Sequence, residues 1–378
     1  MANDRFMTHP SSLIPRFDVF YKYDDLTRLL FAWAEAHPTL VAVRSIGKSH
    51  EGRDIWVATI TNLATGAAED KPAFWADGNI HAAELTASTA VLYFLNDLVA
   101  KYGSDADITE LLDTRAIYLC PRLNPDGAEL ALADRPRHIR SSTRPYPFDE
   151  EPVEGLTAED IDGDGRVLFM RIADPHGAYK KCAADPRLMV AREPGEFGGE
   201  YYRLMPEGFV QAYDGLTVKV NPDIEGLDLN RNFPAFWRQE FEQTGAGDFP
   251  TSEPEVRAMV SFIASHRNIG AAISYHTHSG VILRPMGTQS DDDMIAEDLW
   301  CIKRFSEIGT KLTGYPAISI WHDFKYHPKE VIGGTQDWIY EHLGALFWWS
   351  RCGRRTRKRG STTTSGSTGT ASTRSRTT

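Results

Sequence analysis

Two histidines and a glutamate stand where their side chains could bind one metal ion. His81 and Glu84 are three residues apart and follow a short apolar run at 73–76 that predicts a buried strand. At a strand-to-helix junction, this spacing lets both side chains face one point. A third ligand should come from another strand end, and SYHTH at 274–278 offers His276 and His278 on the same side of an extended chain. Two histidines and one glutamate are an established ligand set for catalytic zinc, although H-x-x-E alone arises often by chance.

Alternating strands and helices must position these ligands. Apolar residues at helical spacing predict helices over residues 23–37, 85–102, 254–266, 292–312 and 335–342. Short apolar or alternating runs predict strands over residues 54–61, 73–76, 116–120, 271–275 and 346–349. This order predicts one α/β domain over residues 1–350, with a largely parallel or mixed sheet and the site at the strand ends.

Residues 133–225 interrupt the alternation. They are rich in proline, glycine and charge, which predicts an insertion of long loops. Within it, DIDGDG at 160–165 places Asp160, Asp162 and Asp164 at the spacing of the first half of a calcium-binding loop. The twelfth position is Arg171 and not glutamate, so an acidic turn without an ion is the alternative to a Ca²⁺ site.

Charge and composition exclude several classes of protein. The formal net charge is −11 over 378 residues, which argues against a dedicated nucleic-acid binder. No stretch of 18 apolar residues predicts a membrane span, and the first residues lack the basic start and apolar core of a secretory signal. The four cysteines form no C-x-x-C pair, which is typical of reduced thiols. We therefore expect a cytoplasmic protein without a nucleic-acid or membrane partner.

The chain changes character abruptly after residue 350. Residues 351–378 contain seven arginines, one lysine and no acid, and 13 of the last 18 residues are serine or threonine. Such a segment has almost nothing to bury, which predicts a disordered tail. The change falls inside an apolar strand pattern, so one hypothesis is a shift of the reading frame near codon 350. Sequencing the locus would test it, since a neighbouring frame should continue the strand with an acid.

Seven blocks in order resemble the zinc carboxypeptidase family, the carboxypeptidase A-like metallopeptidases. They span roughly residues 20–350, and the blocks are GKS with EGR at 47–53, DGNIHAAE at 77–84, NPDG at 124–127, DLNRNF at 228–233, SEPE at 252–255, SYH at 274–276 and GGTQDW at 333–338. The resemblance implies a three-layer sandwich with a central mixed sheet of eight strands flanked by helices. It also implies hydrolysis of the last peptide bond of peptides with a free C-terminus.

The same resemblance implies roles for individual residues. His81, Glu84 and His276 would hold one Zn²⁺, which would polarise the scissile carbonyl and acidify a water. Asn230 and Arg231 would bind the terminal carboxylate, for which a guanidinium offers a planar pair of donors.

Three further roles follow from the resemblance. Arg140 would stabilise the oxyanion as a catalytic residue, with Arg144 as its nearest rival. Tyr326 would cover the bound terminus, although its distance from Gly334 is longer than the family pattern. Gln336 stands at the expected pocket floor, where a neutral amide favours neither basic nor apolar C-terminal residues.

The chain departs from the family at the position of the general base. The resemblance places a glutamate near residue 351, but the sequence there is Ser350-Arg351-Cys352 and no acid follows Glu341. Proton-transfer catalysis contributes about 10²–10⁴-fold. Three functions therefore remain: a zinc carboxypeptidase, a catalytically impaired zinc- and peptide-binding relic, and a deacylase of N-acyl amino acids. The Asn-Arg and GGTQDW blocks favour the first over the third.

Overall fold

Helices and strands alternate along the chain. The computed structural model describes residues 15–150, 152–324 and 333–353. Its α-helices are α1 (Tyr23–Ala36), α2 (Leu85–Lys101), α3 (Ala106–Thr114), α4 (Pro125–Ala131), α5 (Pro254–Ser265), α6 (Ala296–Thr313) and α7 (Thr335–Leu343). Its strands are β1 (Val41–Lys48), β2 (Asp54–Ile60), β3 (Ala73–Gly78), β4 (Ala116–Cys120), β5 (Gly155–Ala158), β6 (Phe169–Ala173), β7 (Tyr179–Lys181), β8 (Met189–Ala191), β9 (Tyr202–Pro206), β10 (Gly208–Gln211), β11 (Ile269–Thr277), β12 (Val281–Arg284), β13 (Ala317–Ser319) and β14 (Leu346–Cys352). None of the described helices is long and apolar enough to cross a membrane.

Eight of these strands form one mixed sheet in the order β1-β2-β4-β3-β11-β14-β12-β13. The four central strands, β4, β3, β11 and β14, run parallel to one another. β2 is antiparallel to β1 and β4, β12 is antiparallel to β14, and β13 is parallel to β12. The predicted mixed sheet of eight strands is confirmed.

Helices cover both faces of this sheet. Successive strand residues point to opposite faces, so one strand contributes side chains to the cores on both sides. Trp75 of β3 packs into a core that includes apolar side chains of α5 and α7. The next residue, Ala76, packs into a second core with side chains of α1 and α2. Ile302 of α6 packs with Ile282 of β12 and Trp348 of β14. The predicted arrangement of helices flanking a central sheet is therefore confirmed.

The carboxyl ends of β3, β11 and β14 meet at one edge of the sheet. β3 ends at Gly78, and a loop of six residues, 79–84, leads into α2. A Cβ atom on Gly78 would lie 2.7 Å from the carbonyl oxygen of Ala87, so glycine lets the strand end approach the first turn of α2. In the strand register, His276 of β11 lies opposite Arg351 of β14. This edge therefore collects the predicted metal ligands and the position predicted for the base.

The insertion at 133–225 contains regular structure that the sequence pattern did not predict. β5 pairs with β10, and β6, β9, β7 and β8 form a separate antiparallel sheet in that order. The expectation of long loops was therefore incomplete. All five residues of β6 are exposed, so this strand has no alternation of buried and exposed positions that a sequence pattern could reveal.

The last described strand, β14, extends past the predicted domain boundary at residue 350. It lies between β11 and β12 and continues through Cys352. The basic side chain of Arg351 is accommodated because it donates hydrogen bonds to the backbone carbonyls of Thr277 and His278. The predicted disorder of the tail concerns residues 354–378, which lie outside the described part of the chain.

Candidate metal centre

The structure brings His81, Glu84 and His276 together. His81 and Glu84 lie in the loop between β3 and α2, and His276 lies near the end of β11. The Nδ1 atoms of the two histidines are 3.1 Å apart. Oε2 of Glu84 is 2.9 Å from Nδ1 of His276 and 3.1 Å from Nδ1 of His81. All three residues are buried, and each faces the same point with one ligand atom.

The hydrogen bonds around this triangle leave three acceptors facing each other. Nε2 of His81 lies 3.2 Å from Oδ1 of Asp228, and since a carboxylate only accepts, this nitrogen must carry the proton. Nε2 of His276 lies 3.4 Å from Oγ of Ser274, whose own proton goes to Asp77 at 2.7 Å. Both Nδ1 atoms therefore present lone pairs toward the Glu84 carboxylate. A buried cation satisfies this arrangement, and the donor set fits zinc, which takes ligands at about 2.0–2.2 Å.

Burial and neighbouring groups set the protonation states of His276 and Glu84. Burial lowers the pKa of His276 to about 4, so its imidazole is neutral at pH 7. For Glu84, burial opposes ionisation, but the two neighbouring histidines, His276 and His81, hold its pKa below the usual range. A neutral imidazole and an ionised carboxylate are the forms that bind metal ions.

Asp228 links the candidate metal ligands to two arginines. Its Oδ1 accepts from His81, and its Oδ2 lies 2.9 Å from Nε of Arg140 and 3.7 Å from Nη2 of Arg231. Burial would raise the pKa of this carboxyl, but the charges of Arg231 and Arg140, together with the hydrogen bond from His81, hold it well below its usual range. Asp228 therefore stays ionised and fixes the orientation of His81, as carboxylates commonly do for metal-binding histidines.

A cavity of about 690 Å³ opens beside the ligands. Its lining includes Glu84 of the candidate metal site, together with Asp228 and the two predicted arginines, Arg140 and Arg231. Arg144, the alternative to Arg140, instead forms ion pairs with Glu253 and Asp248. The structure thus places Arg140 and not Arg144 on the cavity wall.

Two other predicted substrate-binding residues lie behind the wall. Asn230 is buried, and its Oδ1 accepts hydrogen bonds from the backbone N–H and the hydroxyl of Thr335. Gln336 is also buried and donates to Oδ2 of Asp337. The Asn230 side chain joins the loop at 228–231 to the start of α7, whereas that of Gln336 contacts its neighbour within α7. Neither residue lines the described cavity. Tyr326 lies outside the described residues.

Arg351 enters the cavity from β14, at the position where the resemblance predicts an acid. Its side chain is 5% exposed, and its Nη2 lies 3.5 Å from Oε1 of Glu84. Oε2 of the same carboxylate faces the two histidines. The two oxygens of Glu84 are therefore divided between the metal point and a guanidinium.

The acidic turn in the insertion does form. The carboxylates of Asp160, Asp162 and Asp164 lie within 4.8 Å of one another. Asp160 accepts hydrogen bonds from the backbone N–H groups of Gly163 and Gly165, which stabilise such a turn without an ion. The calcium prediction gains no support beyond this geometry.

Sequence reasoning assigned no role to two residues of the site. Asp228 stands in the DLNRNF block, two residues before Asn230, but nothing in the block indicates that its carboxylate contacts His81. At position 351, the sequence shows only that the expected acid is missing. The register of β11 with β14 and the contact with Glu84 show Arg351 to be a cation next to a candidate metal ligand.

Comparisons with known proteins agree with this fold. The family model described as zinc carboxypeptidase matches residues 26–151 and 206–352. The chain is 23% identical over 331 residues to carboxypeptidase A1 of Mus musculus and 25% identical over 343 residues to carboxypeptidase A2 of Rattus norvegicus. Each match covers 86% of this chain and 60% of the relative. The structure of carboxypeptidase A from Helicoverpa armigera matches with a TM-score of 0.57 at 19% identity, covering 89% of this chain and 66% of that one.

These matches differ in what they show. The structural likeness shows the shared fold, and the chain aligns with about 60% of the length of its curated relatives. The family model omits residues 152–205, which contain most of the insertion, but it includes the positions of all three buried ligands. Because that model matches well over half of the sequence, this chain belongs to the zinc carboxypeptidase family.

Proposed function

We propose that this chain is a zinc metallocarboxypeptidase that binds peptides by their free C-terminus and hydrolyses the last peptide bond. The observation that carries the proposal is the buried triangle of His81, Glu84 and His276 beside a cavity lined by Arg140 and Arg231. Zinc, when bound, supplies Lewis-acid polarisation of a carbonyl and a water of lowered pKa. The family membership supports zinc as the metal.

The arginines have separate tasks in this proposal. Arg231 is mostly buried, and its Nη1 is fixed by the backbone carbonyl of Asn230, so its guanidinium is oriented to receive a terminal carboxylate. Arg140 is 42% exposed on its side chain and reaches the cavity from the loop after α4, where it can donate to the carbonyl oxygen as negative charge develops. Asp228 keeps both guanidinium groups in place.

The experiment measures zinc content together with the release of C-terminal residues from a mixed peptide panel. About one zinc per chain and release from free peptides, but not from C-terminally amidated ones, is the expected result. His276→Ala should lose both zinc and activity, because it removes one of three protein ligands. Equal cleavage of amidated and free peptides would contradict carboxypeptidase specificity, and absence of zinc would contradict the metal centre.

A catalytically impaired peptide-binding protein is the second candidate. Glu84 and Asp228 are the only carboxylates among the described residues that line the cavity, and both already face cationic or ligand groups. Arg351, at the position predicted for the base, cannot accept a proton from water. Zinc binding and peptide binding without release would favour this candidate.

A further inference from the structure

The substrate cavity carries more positive than negative charge. Among its described lining residues are three arginines, Arg140, Arg231 and Arg351, but only two carboxylates, Glu84 and Asp228. A bound zinc ion would add two further positive charges. Cations enclosed by protein are costly unless an anion pairs with them, so the cavity is suited to a ligand that brings more than one negative charge.

The three guanidinium groups fall into two separate positions. Arg140 and Arg231 share the Asp228 carboxylate, which contacts the Nε2 side of His81. Arg351 instead contacts Glu84, the ligand that faces the Nδ1 side of the same histidine. The cavity therefore offers one cationic position on the Asp228 side and another on the Glu84 side.

Arg351 is held rigidly in its position. Its Nε donates to the carbonyl of His278 at 3.2 Å, its Nη2 donates to the carbonyl of Thr277, and its guanidinium lies 5.4 Å from the centre of the Phe324 ring. Glu84, its one carboxylate neighbour within the described part of the chain, would share its charge with the zinc ion. A fixed guanidinium with an incompletely neutralised charge recognises a carboxylate far better than a neutral amide of the same shape.

We infer that the cavity selects peptides whose last residue is acidic, aspartate or glutamate. The terminal carboxylate occupies the position at Arg231, and the side-chain carboxylate pairs with Arg351. This inference rests on the proposed function, since it names the substrate class for the same site. It assigns selectivity to a residue of β14 and not to Gln336, which lies behind the cavity wall.

The test measures binding, because binding does not depend on catalytic competence. Zinc-loaded protein is titrated with fluorescent peptides that end in Glu or Gln and otherwise match, each also in a C-terminally amidated form. The Glu peptide should bind about 10-fold more tightly than the Gln peptide, because a hydrogen bond to a charged group typically exceeds its neutral counterpart by this much. In Arg351→Met the preference should fall below about 3-fold.

Two further variants make the result specific. Arg351→Lys keeps the charge and should retain part of the preference, and it replaces Arg351→Met if that variant does not fold. Arg187→Met is the matched control, because this arginine is 88% exposed and pairs only with Asp185 among the described residues, in the insertion. It removes one positive charge away from the cavity and should leave the preference unchanged.

The possible results separate the inference from the proposed function. Equal affinity for the Glu and Gln peptides in the unmodified protein would overturn the inference, and so would a preference that survives Arg351→Met. Equal affinity for free and amidated peptides would overturn recognition of the C-terminus, and with it the proposed function. A preference for Glu that requires both Arg351 and a free C-terminus supports both.

Discussion

Asp228 is the residue that orients His81 in the candidate metal centre. Its carboxylate contacts His81, Arg140 and Arg231 within one small region. Asp228→Asn keeps the shape but removes the charge, so the proton on Nε2 of His81 loses its ionic partner. We expect zinc affinity to fall by about 10–100-fold, as for other carboxylates that support metal-binding histidines. Competition with a chromophoric chelator measures this change.

The control for Asp228 is another aspartate that pairs with an arginine. Asp248 is 60% exposed on its side chain and pairs with Arg144. Asp248→Asn should leave zinc affinity unchanged. If Asp228→Asn binds zinc as tightly as the unmodified protein, Asp228 does not support the metal centre.

Position 351 allows a direct test of whether the chain lacks the expected general base. Arg351→Glu places a carboxylate beside the metal ligands, where it can accept a proton from water, and we expect peptide hydrolysis to rise by about 10²–10⁴-fold. Arg351→Gln removes the cation without adding a base and should give a much smaller rise. Steady-state kinetics on one peptide compare the three proteins. Equal rates for the Glu and Gln variants would mean that position 351 cannot act as a base.

At the residue scale, spacing and resemblance together predicted the ligands but not their surroundings. The spacing of His81 and Glu84 indicated the first two ligands, and the resemblance chose His276 over His278 as the third. Asp228 contacts Arg140, which is 88 residues away in the sequence. Arg351 contacts Glu84 because of the register in which β14 pairs with β11. Such contacts are fixed by the assembled sheet and leave no local pattern.

At the scale of elements, α5 begins with a buried carboxyl group. Glu255 accepts a hydrogen bond from the backbone N–H of His50 at 2.8 Å, but its second oxygen is buried without a hydrogen-bond partner among the described residues. Burial, together with the nearby charges of Asp126 and Glu253, raises the pKa of Glu255 to about 7. The folded state therefore favours the protonated form of Glu255 over its ionised form.

This pKa predicts how stability depends on pH. The folded pKa lies above the unfolded value of 4.5, so the stabilisation is complete below about pH 4.5 and is lost as pH rises through about 7. Glu255→Gln should remove this dependence and gain roughly 1–3 kcal/mol relative to the unmodified protein between pH 5 and 8. Urea unfolding at several pH values measures the difference. The exposed Glu242→Gln serves as control, and a difference that stays constant with pH would refute the assignment.

The sequence predicted the strands whose side chains are mostly buried better than those whose side chains are exposed. β3 and β4 are short but almost wholly buried, and their apolar runs predicted them. β6 exposes all five of its residues, and β7 and β8 contain three residues each, so hydrophobic patterns did not reveal the insertion's sheet. Pairing between neighbouring strands holds these elements together, and pairing is not visible in composition.

At the scale of the whole molecule, the strands of the insertion, β5 to β10, are separate from the site. None of the described residues in these strands lines the cavity, and the family model omits residues 152–205. Ala158 at the end of β5 lies opposite Gly208 at the start of β10. Replacing residues 159–207 by Asn-Gly should therefore close a two-residue hairpin between the two strands.

The shortened chain should keep its metal centre. We expect its zinc affinity to stay within about 3-fold of that of the full chain, because distant sites behave independently. Metal analysis after gel filtration, with His276→Ala in the shortened chain as the negative control, makes the comparison. A folded but zinc-free product would show that the insertion supports the site.

The position of β14 has a consequence for the order in which the protein can be completed during synthesis. β14 lies between β11 and β12, yet it follows both in the chain. Until residues 346–352 leave the ribosome, β11 keeps an open edge beside the finished half of the sheet, while β12 and β13 have no strand that joins them to it. Open strand edges can pair with other chains, so the nascent protein is most exposed to aggregation just before β14 inserts.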